Sequence, residues 1–148
     1  MPDQAPATAA SCTTPSWWEQ CVAKIANKPV VRMAVVGSRH CTDAALVEEY
    51  VQPIYAALGE RLTLLSGAAN GVDTLVRQLA QKHGIFLLEF PANWRRYGRA
   101  AGPIRNQQLV QAADVLLAFV APTSKGTRNA IALARHKGIP AHVVSLLA

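Results

Sequence analysis

An apolar run that stops at a Ser-Gly step and gives way to a new helical pattern constrains this chain more than any other feature. Leu62 to Ser66 is followed by Gly67-Ala68-Ala69-Asn70-Gly71, then by a segment to Lys82 with Leu75, Val76, Leu79 and Ala80 at helical spacing. A short apolar run bounded by turn residues reads as a buried strand. Asn70, with Asp73 three residues on, reads as a helix N-cap with an acidic first turn. Gly67 and Gly71 permit tight or left-handed backbone and the close approach of another group. A strand, a glycine turn and a helix start bring free N–H groups and a positive dipole end to one point, which suits an anion. The same pattern also serves as a plain strand-to-helix reversal, so the rest of the chain has to decide.

The pattern recurs. Val30 to Val36 is a mostly apolar run of the kind buried on both faces, and it ends in Gly37-Ser38-Arg39. A helix starts at Thr42 or Asp43, with Val47, Tyr50, Val51, Ile54, Tyr55 and Leu58 on one face. Pro53 is expected to kink or divide it, and Gly59 ends it. Further strands are expected over Ile85 to Phe90, Val115 to Val120 and Ala141 to Leu146. Ala92 to Gly102 reads as a polar, glycine-punctuated loop, and Pro103 suits the first turn of a helix running to Ala113. That reading puts Arg105 in a first turn, where a cation opposes the dipole, and argues for a functional reason. Pro122 to Thr127 is another glycine turn, opening a helix with Ala130, Ile131 and Ala134 inward and Lys137-Gly138 as its stop. Five strands alternating with helices give an α/β chain: a Rossmann-like three-layer sandwich with a mainly parallel five-stranded sheet, order 3-2-1-4-5. Its binding crevice lies at the strand carboxyl ends, between the first and fourth strands.

Composition narrows the partners. The chain has 148 residues and a formal charge of +6, which suits one domain with an anionic partner. Residues 1–15 read as a flexible tail and residues 29–148 as the α/β domain. Residues 16–28 read as an N-terminal helix with Trp17, Trp18, Cys21, Val22 and Ile25 as its apolar stripe. Cys12, Cys21 and Cys41 lack metal-ligand spacing and read as free thiols in a reducing cytoplasm. No membrane span or secretory signal is visible, so the expected location is cytoplasmic. His40, His83, His136 and His142 are scattered and form no metal set or catalytic triad. No cofactor is expected: the turns match neither a dinucleotide G-x-G-x-x-G nor a P-loop.

The topology gathers Gly37 to Arg39, Ser66 to Asp73, Asn93 to Asn106 and Thr123 to Thr127 at one edge. They bring Arg39, Arg95, Arg96, Arg99, Arg105 and Lys125 to one mouth, where guanidinium forks and helix N-termini match phosphates. Trp94 and Tyr97 sit among these arginines as stacking surfaces for a base. The bland alternatives are a solvated loop for Arg95, Arg96 and Arg99 and a core anchor for Trp94.

As an ordered set these turns resemble the SLOG superfamily and, within it, the YspA-like family. The pieces are Ala34 to Arg39, Ser66 to Asp73, Gly98 to Asn106, Ala113-Asp114 and Lys125 to Ile131. The resemblance implies a Rossmann-like domain that holds a nucleotide or nucleotide-derived ligand, such as a nucleoside phosphate or an ADP-ribose-like molecule. It implies a site of Gly37, Ser38, Arg39, Ser66, Gly67, Ala68, Asp73, Trp94, Arg105, Asn106, Lys125, Gly126 and Thr127. It also implies a homodimer. Two alternatives come with it. The LOG phosphoribohydrolases cleave the base from nucleoside 5′-monophosphates, using an Arg matched by Arg105 and a Gly-Thr-x-x-Glu helix start. Gly126-Thr127 matches that start, but Ala130 stands where the Glu would be, removing the carboxylate expected at the glycosidic carbon. Asp43, Asp73 and Glu89 are the remaining acids, with Asp73 read as a cap and Glu89 as a structural strand-end acid. The DprA core, whose Ser-Gly-x-Ala-Arg-Gly-Ile-Asp turn is similar to Ser66 to Asp73, points to single-stranded DNA.

Overall fold

The computed structural model describes Glu19, Ile25 and residues 27–146. The expected tail and the Trp17-Trp18 segment lie outside the described residues. The strands are β1 Val31–Gly37, β2 Leu62–Ser66, β3 Phe86–Glu89, β4 Val115–Val120 and β5 Ala141–Ser145. They form one sheet in the order β3-β2-β1-β4-β5, and every neighbouring pair is parallel. This is the expected order, with all five strands parallel. β1 lies at the centre, with Met33 to Gly37 alongside Val115 to Phe119 and Val31 to Ala34 alongside Leu62 to Leu65.

Alternate residues of each strand feed opposite faces. On one face Val31, Met33, Val35, Leu64, Leu117 and Phe119 pack under α1 (Ala44–Leu58) and α2 (Val72–His83). Ile25 is buried in that same layer. On the other, Ala34, Val36, Leu65, Leu116 and Ala118 pack under α4 (Ala101–Ala112) and α5 (Lys125–Lys137). Strands covered on both sides carry continuous apolar runs, which is why β1 and β4 are legible. β3 is an edge strand, with Phe86 70% and Leu88 49% exposed.

Several boundaries differ from the sequence reading. α1 is a single helix that runs through Pro53 rather than dividing there. Its N-cap is Asp43, whose carboxylate accepts the Leu46 N–H at 3.1 Å, and the Gly59 N–H closes its other end on Tyr55. The N-cap of α2 is Gly71 rather than Asn70. Gly71 takes φ +74, and a Cβ there would run into the Ser38 carbonyl and the Arg39 backbone. The segment read as a loop after β3 contains a short helix, α3 (Trp94–Tyr97), whose cap Asn93 accepts the Arg96 N–H. A 3-10 turn at Gly98–Ala100 follows, and α4 begins at Ala101 rather than Pro103. Arg105 therefore lies beyond the first turn, and the argument from an opposed dipole does not apply to it. No helix among the described residues is long and apolar enough to cross a membrane.

Candidate functional site

The carboxyl ends of β1, β2 and β4 open onto one cavity of about 280 Å3. β1 and its loop supply Val36, Gly37, Ser38, Arg39 and His40, and the β2–α2 turn supplies Gly67, Ala69 and Asp73. Arg105, Asn106 and Leu109 come from α4. The start of α5 and the turn before it supply Thr123, Ser124, Lys125, Gly126 and Thr127. This is the crevice that the strand order specifies, where connections leave β1 and β4 toward opposite faces.

Of the site residues named from sequence, Ser66, Ala68 and Trp94 lie off the cavity and the others line it. Ser66 is fully buried, and its Oγ accepts the Ala68 N–H at 3.4 Å. Ala68 has φ +58, so its part is to shape the turn. Trp94 is half exposed on α3, outside the cavity, with the Arg39 guanidinium 5.9 Å from its ring centre. That distance suits a cation–π contact. Arg95, Arg96 and Arg99 are exposed on the rim beside it and do not line the cavity. His40, Ala69, Thr123, Ser124, Val36 and Leu109 are lining residues absent from the sequence-based set. Ala69, Thr123 and Ser124 fall inside segments that the topology gathers at this edge, and the others neighbour such a segment or lie one helical turn along from Arg105.

The two glycine turns play different parts. In the β2–α2 turn two amides and one carbonyl face protein partners. The Ala69 N–H donates to Asp73 Oδ2 at 3.1 Å, and the Val72 N–H donates to the Ser38 carbonyl. The Gly67 carbonyl accepts from Arg105 Nη1 at 2.5 Å. The Ala69 and Val72 amides are therefore taken up by the fold rather than offered to an anion. Asp73 reaches backward to the turn rather than capping the N–H groups of its own helix.

At α5 the amides are open. Lys125 N–H bonds the Thr123 carbonyl and Arg128 N–H the Ser124 carbonyl, while among the described residues no hydrogen bond engages the Gly126 or Thr127 N–H. Ser124, the N-cap residue, turns its Oγ to the Ala121 N–H and leaves the helix start uncapped. Thr127 is buried beneath this opening. Unpaired N–H groups at the start of a helix, with a lysine beside them, form an anion cradle.

Arg105 and Asn106 tie the turns together. Arg105 Nε donates to Asn106 Oδ1 at 2.9 Å, and the buried Asn106 amide donates to the Gly126 carbonyl at 3.1 Å and to Asn129 Oδ1 at 3.0 Å. Burial pushes the Arg105 guanidinium below its ordinary value, Asp73 opposes that, and Arg39 adds to it. The cation persists because an arginine starts so far above neutrality. Burial pushes the Asp73 carboxyl up. The Ala69 amide and Arg105 pull it back, Glu89 raises it further, and the Gly67 amide also lowers it.

The other acids weighed for chemistry are engaged elsewhere. Asp43 caps α1, and Glu89 pairs with Arg77 at 2.7 Å. Ala130, at the position of the LOG glutamate, is buried in the layer beneath α5 and is not a lining residue. Among the described residues no cluster of His, Cys, Asp or Glu is placed to hold a metal ion, and Cys41 is a free thiol.

A family model described as the YspA, cpYpsA-related SLOG family matches residues 31–97, from β1 through α3. The "Gene 61 protein" of Mycobacterium phage D29 is 31% identical over 115 residues, covering 74% of this chain and 92% of that protein. Among solved structures, DNA processing protein A (DprA) from Streptococcus pneumoniae superposes with a TM-score of 0.50 at 18% identity. That match covers 78% of this chain and 59% of the DprA chain, so this chain spans less than two thirds of it. At that identity the likeness is one of fold. The family match takes in the Gly37 to Arg39 and Ser66 to Asp73 turns and stops short of Arg105 and the start of α5.

Proposed function

Because the chain belongs to the YspA, cpYpsA-related SLOG family, we propose that it binds a nucleotide or nucleotide-derived small molecule in the cavity at the carboxyl ends of β1, β2 and β4. One observation carries this reading. The free Gly126 and Thr127 amides open onto the cavity that Arg39, Arg105 and Lys125 also line. A phosphate seated there receives two backbone donors and sits among three cationic side chains, of which Arg105 is held in place by Gly67 and Asn106. The Ser38 hydroxyl, which already accepts the His40 N–H at 3.2 Å, keeps its own proton to donate. Three cations against the single carboxylate of Asp73 leave a net positive lining, matched to a phosphate monoester or a pyrophosphate. Trp94, on the rim beside Arg39, is the surface on which a base leaving the cavity would stack.

The test is a thermal-shift panel of AMP, ADP-ribose, NAD, cyclic nucleotides, adenosine and a short oligodeoxynucleotide, followed by calorimetry of any hit. A ligand that binds only the folded chain raises its melting temperature. The expected result is a shift with a phosphorylated nucleoside and none with adenosine. A shift with the oligonucleotide alone would replace this reading with single-strand binding along the exposed rim of Trp94, Arg95, Arg96 and Tyr97.

A further inference from the structure

Asn106 lines the cavity and is 6% exposed, yet its amide is almost wholly spent on the protein. Its orientation is forced, because Arg105 Nε can only donate and the Gly126 carbonyl can only accept. Oδ1 therefore faces Arg105. Nδ2 gives one hydrogen to the Gly126 carbonyl and the other to Asn129 Oδ1. With both hydrogens used, what remains is a lone pair on Oδ1, an acceptor that an ionised phosphate cannot use. Asn106 has no donor to offer an anion in the cavity it lines.

Resting on the nucleotide reading above, we propose that Asn106 is a positioning residue that makes no contact with the phosphate: it holds the Gly126–Thr127 peptide by its carbonyl end, so that the other end, the Thr127 N–H, is aimed at the anion. The Gly126 carbonyl and the Thr127 N–H belong to one planar trans peptide, and fixing the direction of one fixes the other. Thr127 lines the cavity, and among the described residues nothing accepts its N–H. Capping does not hold this plane, because Ser124 turns its Oγ to the Ala121 N–H. The first turn of an uncapped helix frays, and a cradle built on it needs a tie from elsewhere in the fold. Asn106 supplies that tie from α4. A donor on the carbonyl also polarises the peptide and strengthens its N–H as a donor. Through Oδ1 the same amide steadies the Arg105 guanidinium. One side chain thus sets the angle between the peptide donor and the cation that a phosphate meets together.

The experiment is NMR on the full, isotope-labelled chain saturated with AMP, reading scalar coupling between amide nitrogen and phosphorus across N–H···O–P hydrogen bonds. Wild type should show a coupling at the Thr127 amide and none at Asn106 Nδ2. Asn106→Leu keeps the side-chain volume and removes the bonds to Arg105, Gly126 and Asn129, while Arg105 keeps its tie to Gly67. That variant, with a melt to register its fold, should lose the Thr127 coupling and bind AMP about tenfold or more weakly by calorimetry. A coupling at Asn106 Nδ2, or none at Thr127, in AMP-bound wild type overturns this proposal and leaves the nucleotide site standing, and neither result needs a variant. A folded Asn106→Leu chain that keeps the Thr127 coupling or wild-type affinity also overturns it. Failure of wild type to bind AMP overturns the nucleotide reading, and this inference with it.

Discussion

Arg105 Nη1 donates to the Gly67 carbonyl at 2.5 Å across 38 residues of chain. A Cβ on Gly67 would fall on the Arg105 guanidinium. The contact joins the turn after β2 to α4, and through Asn106 to the start of α5. One arginine thus fixes the spacing of the two walls of the cavity while adding charge to it.

Replacing Arg105 by alanine should weaken binding of a phosphorylated nucleoside by about 1.5–3 kcal/mol, the range of a charge-assisted hydrogen bond, with the fold retained. Arg105→Lys should recover only part of this, because a single ammonium lacks the fork that spans Gly67 and Asn106. Calorimetry on both variants measures it, and normal binding by Arg105→Ala removes this residue from the site.

Gly67 and Gly71 should respond differently to alanine. At Gly67 the obstacle is the tip of a flexible side chain, so Gly67→Ala should displace Arg105 and lower ligand affinity at modest cost in stability. Its effect on binding should not add to that of Arg105→Ala, as expected for groups in one contact. At Gly71 the obstacle is the Ser38–Arg39 backbone and φ is +74, so alanine should cost stability by about 1–3 kcal/mol or more. Urea unfolding of the two variants separates the cases.

Burial raises the folded-state pKa of Asp73 above its unfolded value, so the folded chain holds that proton to higher pH. Stability from this group is fully present below the unfolded value and is lost as pH rises through the raised one. As pH rises from the ordinary aspartate value, wild type should lose stability relative to Asp73→Asn. Paired urea titrations from that value upward test the sign, and a difference that grows in the other direction rejects it.

Lys137 Nζ donates to the Val110, Gln111 and Ala113 carbonyls at 3.1, 2.6 and 3.1 Å, closing the end of α4 from α5. Lys137→Met keeps the apolar stem and removes the cap. The expected loss is about 1 kcal/mol, at the low end because the lysine is solvent-exposed. The midpoint of urea unfolding should fall with its slope unchanged.

Incubation with AMP and related monophosphates should release no free base. Cleavage of an N-glycosidic bond needs a carboxylate near the ribose and a base for water, and Ala130 supplies neither. Chromatography of the reaction checks this. Rapid base release that Arg105→Ala abolishes would establish N-glycosidase activity, and loss in Asp73→Asn would identify its carboxylate.

What the residues determined by themselves was local: the strands, the helices between them, and hence the topology. Apolar runs closed by Gly, Ser and Pro carry that signal within a few residues, and right-handed parallel crossovers leave few ways to connect them. The same logic brought Arg39, Arg105, Lys125 and the glycine turns to one edge. Local signals also misled where two short-range options were close. Asn70 carries the cap signal although Gly71 is the cap, and the polar, glycine-punctuated segment after β3 carries loop signals although it holds α3. Tertiary structure alone decided which polar groups face the cavity and which face each other. The Ala69 and Val72 amides are turned to Asp73 and Ser38, and the Gly126 and Thr127 amides are open, though both turns look alike in sequence. Contacts between residues far apart in the chain settle that difference, chiefly Arg105 on Gly67 and Val72 on Ser38. The unpaired Asp73 oxygen is likewise a property of the folded chain alone.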